Sequence, residues 1–224
     1  VTYQTAWLKA HYPAEFMAAT LSSDMDDTDK VQIFVRDAQA NQVEVQPPDI
    51  NASAYRFEPA APRAIRYGLG GVKGVGQSAI ENVVAAREAG GPFIDLFDFC
   101  ERIDRKLINR RTIEALVRAG AFDRLDPDRA RLLANVPQAM EAAEQKAREQ
   151  AAGQGGLFDD AFFGGTDEAP AREWLPAERW DDRQRLLEEK GALGYFLTGH
   201  LFDACRDEVR RFVKTRIGDL EKIV

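Results

Sequence analysis

Gly68-Leu69-Gly70-Gly71-Val72-Lys73-Gly74-Val75-Gly76-Gln77-Ser78 leads into an amphipathic run with Ile80, Val83 and Val84 on one face. The run stops at Gly90-Gly91-Pro92, a strong helix-ending signal. This glycine-rich turn followed by a helix decides the fold class. Gly71 to Ser78 has the form G-x-x-x-x-G-Q-S, so Gln77 stands where a phosphate-binding P-loop needs lysine. A dinucleotide G-x-G-x-x-G fingerprint does not occur in register either. The stretch fits a helix-hairpin-helix turn better. Gly74 and Gly76 would bring bare backbone close to a phosphate, and Val75 between them would plug the core. The amides of Gln77 and Ser78 open the next helix, whose dipole favours an anion. Lys73 adds a cation. Such a turn reads DNA backbone rather than bases. The plainer reading is a tight turn whose glycines only permit positive φ, and the turn alone does not separate the two.

A shift of 33 residues lays this unit over a second one. Val75 falls on Ile108, Ile80 on Ile113, Glu81 on Glu114, Val83 on Leu116 and Val84 on Val117. Two copies of a turn-plus-helix unit is the economical reading, with chance likeness of two amphipathic helices as its rival. The second turn, Asp104-Arg105-Lys106-Leu107-Ile108-Asn109-Arg110-Arg111, lacks the glycines. Either its cations Arg105, Lys106, Arg110 and Arg111 replace anion-binding amides, or the copy completes the packing; packing is the leading expectation.

Outward from the repeat, the pattern is mostly helical. Trp7, Leu8, Tyr12, Phe16, Met17 and Leu21 recur at helical spacing, and Pro13 is placed to open a helix. Asp26 to Thr28 offers N-caps for a helix carrying Val31, Phe34 and Val35. Val43 and Val45 read as a strand entering the turn Pro47-Pro48-Asp49-Ile50-Asn51, and Tyr55/Phe57 with Ile65/Tyr67 as short paired strands. A long helix is expected from Arg129 to Ala152, a mobile Gly- and Asp-rich loop to Arg172, and helices near 181–190 and 202–213. The expected fold class is mainly α with a few short β-strands, a tandem helix-hairpin-helix module flanked by helical segments.

Composition narrows the function. The 224 residues are 45% hydrophobic and 30% charged, which excludes collagen, a disulfide scaffold and a disordered chain. No apolar run approaches a membrane span and no signal stretch opens the chain. A start at Val1 reads as a piece of something longer. Cys100 and Cys205 lie far apart, and His11 and His200 lack ligand neighbours, so no zinc or redox spacing exists. Free thiols point to a reducing cytoplasm. The net charge of −7 is unevenly spread: Arg63 to Arg118 holds ten Lys or Arg against seven Asp or Glu, so that segment is +3. It is suited to phosphate, whereas the remainder repels it.

Gln154-Gly155-Gly156-Leu157-Phe158 lies in the expected loop. An adjacent Leu and Phe in a solvated acidic stretch suit a partner's pocket, with Gln154 at its mouth; the rival reading folds the pair back onto the body.

With these residues assembled, the chain resembles the alpha subunits of bacterial DNA polymerase III, the C-family replicative polymerases. The resemblance is strongest in Tyr3-Gln4-Thr5-Ala6-Trp7-Leu8-Lys9, Pro47 to Asn51, Tyr67 to Gly76, Leu107 to Arg111, Gly120-Ala121-Phe122-Asp123 and Leu197-Thr198-Gly199-His200. It implies that residues 1–62 end a fingers domain and that 63–128 form the tandem hairpin module on duplex primer-template. It further implies that 129–172 carry a sliding-clamp (beta subunit) motif at Gln154, Leu157 and Phe158, and that 173–224 lead towards an OB-fold. The family favours larger or polar residues where Gly155 and Gly156 stand, which implies weak clamp affinity. Other replicase subunits are implied partners of the parent chain.

In this family the aspartates that hold Mg2+ lie in the palm, upstream of Val1. The acidic pairs here, Asp26-Asp27, Asp159-Asp160 and Asp181-Asp182, are sequence neighbours. Two-metal phosphoryl transfer needs carboxylates converging on two cations. The segment is therefore expected to have no catalytic or metal residues and no polymerase activity by itself. The alternative reading is an interaction scaffold whose hairpins only pack.

Overall fold

The structure, a computed structural model, describes residues 1–151 and 174–213. The candidate clamp residues Gln154, Leu157 and Phe158, and the pair Asp159-Asp160, lie outside the described residues.

Proline and side-chain caps start the helices where the sequence suggests. α1 (Thr2–His11) runs into α2 (Pro13–Ser23), with Pro13 at the first helical position. Ala14, Met17, Ala18 and Leu21 recur every three or four residues along α2 and form its buried face. Asp27 caps α3 (Thr28–Ala40) by accepting the amides of Asp29 and Lys30. Along α1 the expectation meets a limit: Trp7, Leu8 and Tyr12 have helical spacing, yet none is buried and Trp7 instead packs on His11 and Tyr12.

A three-stranded sheet follows, ordered β1 (Glu44–Gln46), β3 (Ala64–Arg66), β2 (Glu58–Ala61). β1 and β3 are parallel, with Val45 opposite Ile65; β2 and β3 are antiparallel, with Glu58 opposite Arg66. Strands pair across the expected division at 62/63, and Tyr55 and Phe57 precede β2 rather than forming it. Pro47 to Asn51 is a clip. The Ile50 amide donates to Ala121 O at 2.7 Å, and Asn51 exchanges two hydrogen bonds with the backbone of Phe93. These bonds join the first third of the chain to the hairpin region.

That region comprises α4 (Gln77–Gly90), α5 (Leu96–Arg102) and α6 (Arg110–Arg118). α6 closes on Gly120 at φ +86°, with Ala121 N–H donating to Leu116 O and Gly120 N–H to Val117 O, a Schellman end. α7 (Arg129–Ala151) packs across α5 and α6. Phe93, Phe99 and Phe122 meet ring to ring at 5.0 and 5.1 Å beneath the helices. α8 (Asp182–Leu193) lies against α6 and ends at Gly194, φ +92°; α9 (Arg206–Phe212) follows a short 3₁₀ turn. The chain is mainly α-helical with a few short strands. Among the described residues, no helix is long and apolar enough to cross a membrane.

Candidate nucleic-acid interface

The two turn-plus-helix units occupy equivalent places. Val75 and Ile108 are both buried beneath their turns, and Ile80 and Val83 in α4 correspond to the fully buried Ile113 and Leu116 in α6. Each such side chain stabilises the fold by about 1.5–3 kcal/mol, enough to make the repeat a packing unit whatever else it does.

The turns differ at the surface. Gly74 has φ +77°, and a Cβ on Gly74 or Gly76 would meet nothing within 4 Å. Crowding inside the protein therefore does not account for a glycine at 76; outside it, the backbone is open to approach. Lys73, Gln77 and Ser78 are exposed around it, while Val75 is the buried plug. Gly76 is the N-cap of α4 and no side chain bonds to the helix amides. At the second turn Asn109 caps α6, its Oδ1 accepting from Thr112 N–H at 3.0 Å. The anion-binding end of α6 is thus already partly filled from within, and that of α4 is open.

The basic segment is less free than its sum suggests. Seven of the ten cations are engaged in the fold. Arg63, Arg66 and Arg87 donate to the carbonyls of Asn41, Ala52 and Ile50. Arg102 holds the Ala86 and Gly91 carbonyls, and Arg105 turns to Met140 O and Glu144 on α7. Arg110 pairs with Glu114, and Arg118 with Glu114 and Glu188. Lys73, Lys106 and Arg111 remain without a side-chain partner among the described residues. Of the candidate DNA contacts, Lys73, Gly74, Gly76 and Ser78 are therefore gathered and accessible at the first turn. Gln77 is there too, its amide donating to Glu81 at 2.7 Å. Lys106 and Arg111 are available on the second turn, and Arg105 braces α7.

A support under the first hairpin comes from far along the chain. Lys73 N–H donates to Ala192 O at 2.9 Å, and Tyr67, just before the turn, has its hydroxyl 3.4 Å from both the Tyr195 hydroxyl and Gly71 O. Burial pushes the Tyr67 hydroxyl up to about 12, and burial pushes Tyr195 up further. Beneath them Glu189 is wholly buried and accepts from Leu197 N–H, Thr198 N–H and Thr198 Oγ1. Arg129 approaches it at 3.8 Å while gripping Asp123 with two bonds. No periodicity links residues 67–73 to 189–198, so no local signal in the sequence marks this contact.

The two acidic pairs within the described residues are accounted for locally: Asp27 and Asp181 cap α3 and α8. Among the described residues, no group of three or more His, Cys, Asp or Glu is placed to hold a metal ion.

Comparison with known proteins agrees with this geometry. A helix-hairpin-helix motif family matches residues 42–132, which begins before the strands and ends in α7. The chain is 50% identical over 224 residues to DNA polymerase III subunit alpha of Neisseria meningitidis, covering 99% of this chain and 19% of that protein. It is 44% identical to the Vibrio cholerae subunit and 43% identical to that of Pseudomonas aeruginosa, covering 98% and 99% of this chain. The chain spans about one fifth of the length of these relatives. Along nearly all of its residues, then, the chain is similar to a segment of the bacterial DNA polymerase III alpha subunits, and within it residues 42–132 match a helix-hairpin-helix motif family.

Proposed function

We propose that this chain is the duplex-gripping part of a replicative DNA polymerase subunit, holding DNA backbone without sequence preference at the first hairpin. The observation that carries the reading is the α4 N-terminus, uncapped and flanked by Gly74 and Gly76 with open space around both. Backbone amides and the helix dipole supply the anion site, and Lys73 beside it supplies charge. Lys106 and Arg111 extend the contact along the second turn. In the parent protein the grip keeps primer-template near a Mg2+-dependent palm that this segment does not include, and the segment alone does not polymerise.

The test is fluorescence anisotropy of the chain with blunt duplexes of unrelated sequence across a salt series. Affinity should fall steeply with salt, be indifferent to sequence and drop about tenfold or more in Lys73→Glu. Binding that ignores salt, or none at all, leaves the hairpins as packing units of an interaction scaffold.

The finer part of the reading is docking on the sliding clamp through Gln154, Leu157 and Phe158. It rests on the sequence motif and on the similarity to DNA polymerase III alpha subunits. Tethering raises the effective concentration of polymerase at the primer end, so a modest peptide affinity suffices. Calorimetric titration with the clamp should show binding that Leu157→Ala/Phe158→Ala abolishes; equal heats from both would remove the motif from the reading. Work at the replication fork places the protein in the cytoplasm with other replicase subunits.

A further inference from the structure

A cleft of about 620 Å3 opens between α3 and the loop that follows α8. Arg36, Lys190 and His200 line it, together with Gln32, Gln39 and Phe196, and no carboxylate stands in its wall. In a chain of net charge −7 that is unusual. A neighbouring cleft that shares Thr198 to His200 contains Asp182 and Asp203, and another contains Asp123, Asp128, Asp181 and Asp182. Arg36 has no ion-pair partner among the described residues. Lys190 sits over the Phe196 ring at 5.1 Å, and Phe196 meets His200 edge-on at 5.3 Å. His200 Nδ1 accepts from Phe202 N–H, which leaves the ring proton on Nε2 as a donor.

The cleft is preorganised and continuous with the hairpin. Its loop is pinned by the three hydrogen bonds to buried Glu189. Gly194 lines it, and a Cβ there would lie 2.9 Å from Lys73 Nζ, so the hairpin cation stands at its rim. Cations for phosphate, side-chain amides for base edges and an aromatic pair for stacking are the set that recognises an unpaired nucleotide. Duplex phosphates lie on the outside of the double helix and need no cavity of this size.

We propose that this cleft takes up single-stranded DNA running on from the duplex held at the hairpin, with Arg36 and Lys190 on its phosphates. The proposal rests on the hairpin reading above for its direction along the DNA, though not for its chemistry.

The test compares anisotropy of the full chain with a blunt duplex, the same duplex carrying a single-stranded tail, and the free single strand. The tail should raise affinity about tenfold, and Arg36→Ala/Lys190→Ala should remove that gain while leaving blunt-duplex affinity and the melting temperature unchanged. Gly74→Val should weaken the blunt duplex and leave single-strand binding in place. If the double variant binds the tailed duplex as tightly as wild type, the proposal is overturned. It is equally overturned if blunt and tailed duplex weaken alike, or if the tail adds nothing in wild type. Loss of duplex binding alone, with single-strand binding still sensitive to Arg36 and Lys190, would retire the hairpin reading and keep this one.

Discussion

Gly76 and Asn109 stand 33 residues apart at the same position of a repeated unit, each as the N-cap of its helix, and only Asn109 fills that role with a side chain. One repeat spends its helix terminus on internal stability; the other leaves it open to solvent. Divergence at one cap thus separates a surface suited to an anion from one suited to packing.

Gly76→Asp should reverse this at the first repeat. A carboxylate at the cap would bond the α4 amides and change stability by only a few tenths of a kcal/mol in its favour. It would also occupy the proposed phosphate site and repel its ligand, so duplex affinity should fall about tenfold. Asn109→Ala should do the opposite, costing about 1 kcal/mol with duplex affinity nearly intact. Urea melts and anisotropy on both variants check the pair, and an affinity loss in Asn109→Ala as large as in Gly76→Asp would contradict it.

Two glycines of positive φ should differ sharply on substitution. Gly74→Ala meets open space and suffers only backbone strain, about 1–2 kcal/mol. Gly194→Ala adds overlap with Thr28 Cγ2 and a close approach to Lys73 Nζ, and should cost about 2–4 kcal/mol. Equal midpoints in urea would show that α3 and the hairpin do not close on Gly194.

Glu189 should be the most costly carboxylate to lose among those described. It is fully buried, accepts three hydrogen bonds from Leu197 and Thr198, and faces Arg129. Glu189→Ala should destabilise by about 2–4 kcal/mol because the Leu197 and Thr198 donors lose their buried acceptor, while Arg129 keeps its pairing with Asp123. Glu189→Gln, which retains an acceptor and the volume, should cost less. A loss below about 1 kcal/mol in the alanine variant, read by chemical denaturation, would refute the role.

Alkaline pH should loosen the hairpin's support. Tyr67 ionises near 12 in the folded chain against an ordinary 10.0, so the unfolded chain gives up its proton first. Stability is therefore complete below about pH 10 and declines as pH rises towards about 12, with Tyr195 acting in the same direction. Tyr67→Phe should flatten that decline. A curve of stability against pH that is identical in the variant would dismiss the tyrosine pair as its source.

The thiols should also separate. Cys100 is buried and pushed up to about 12, chiefly by burial and further by the Asp95 and Glu101 carboxylates, whereas Cys205 is exposed. A disulfide reagent near neutral pH should label one thiol in the native chain and both in denaturant. Two fast native labels would mean the α5 face opens readily.

Most of the helices, the cap at Asp27 and the correspondence of Val75 with Ile108 follow from the sequence itself, because periodicity and capping are written within one or two turns. The open glycine turn was legible for the same reason. The fate of the charges was not. Arg105 and Arg110 look alike in sequence to Lys106 and Arg111, and only the packing of α7 and the register of α6 assign the first two to Glu144 and Glu114. The clip from Asn51 to Phe93, the Tyr67–Tyr195 contact and the carboxylate-free cleft join residues from distant parts of the chain. Local propensity carries no term for such contacts; they exist because burying one shared core brings α3, the hairpin and the end of α8 together.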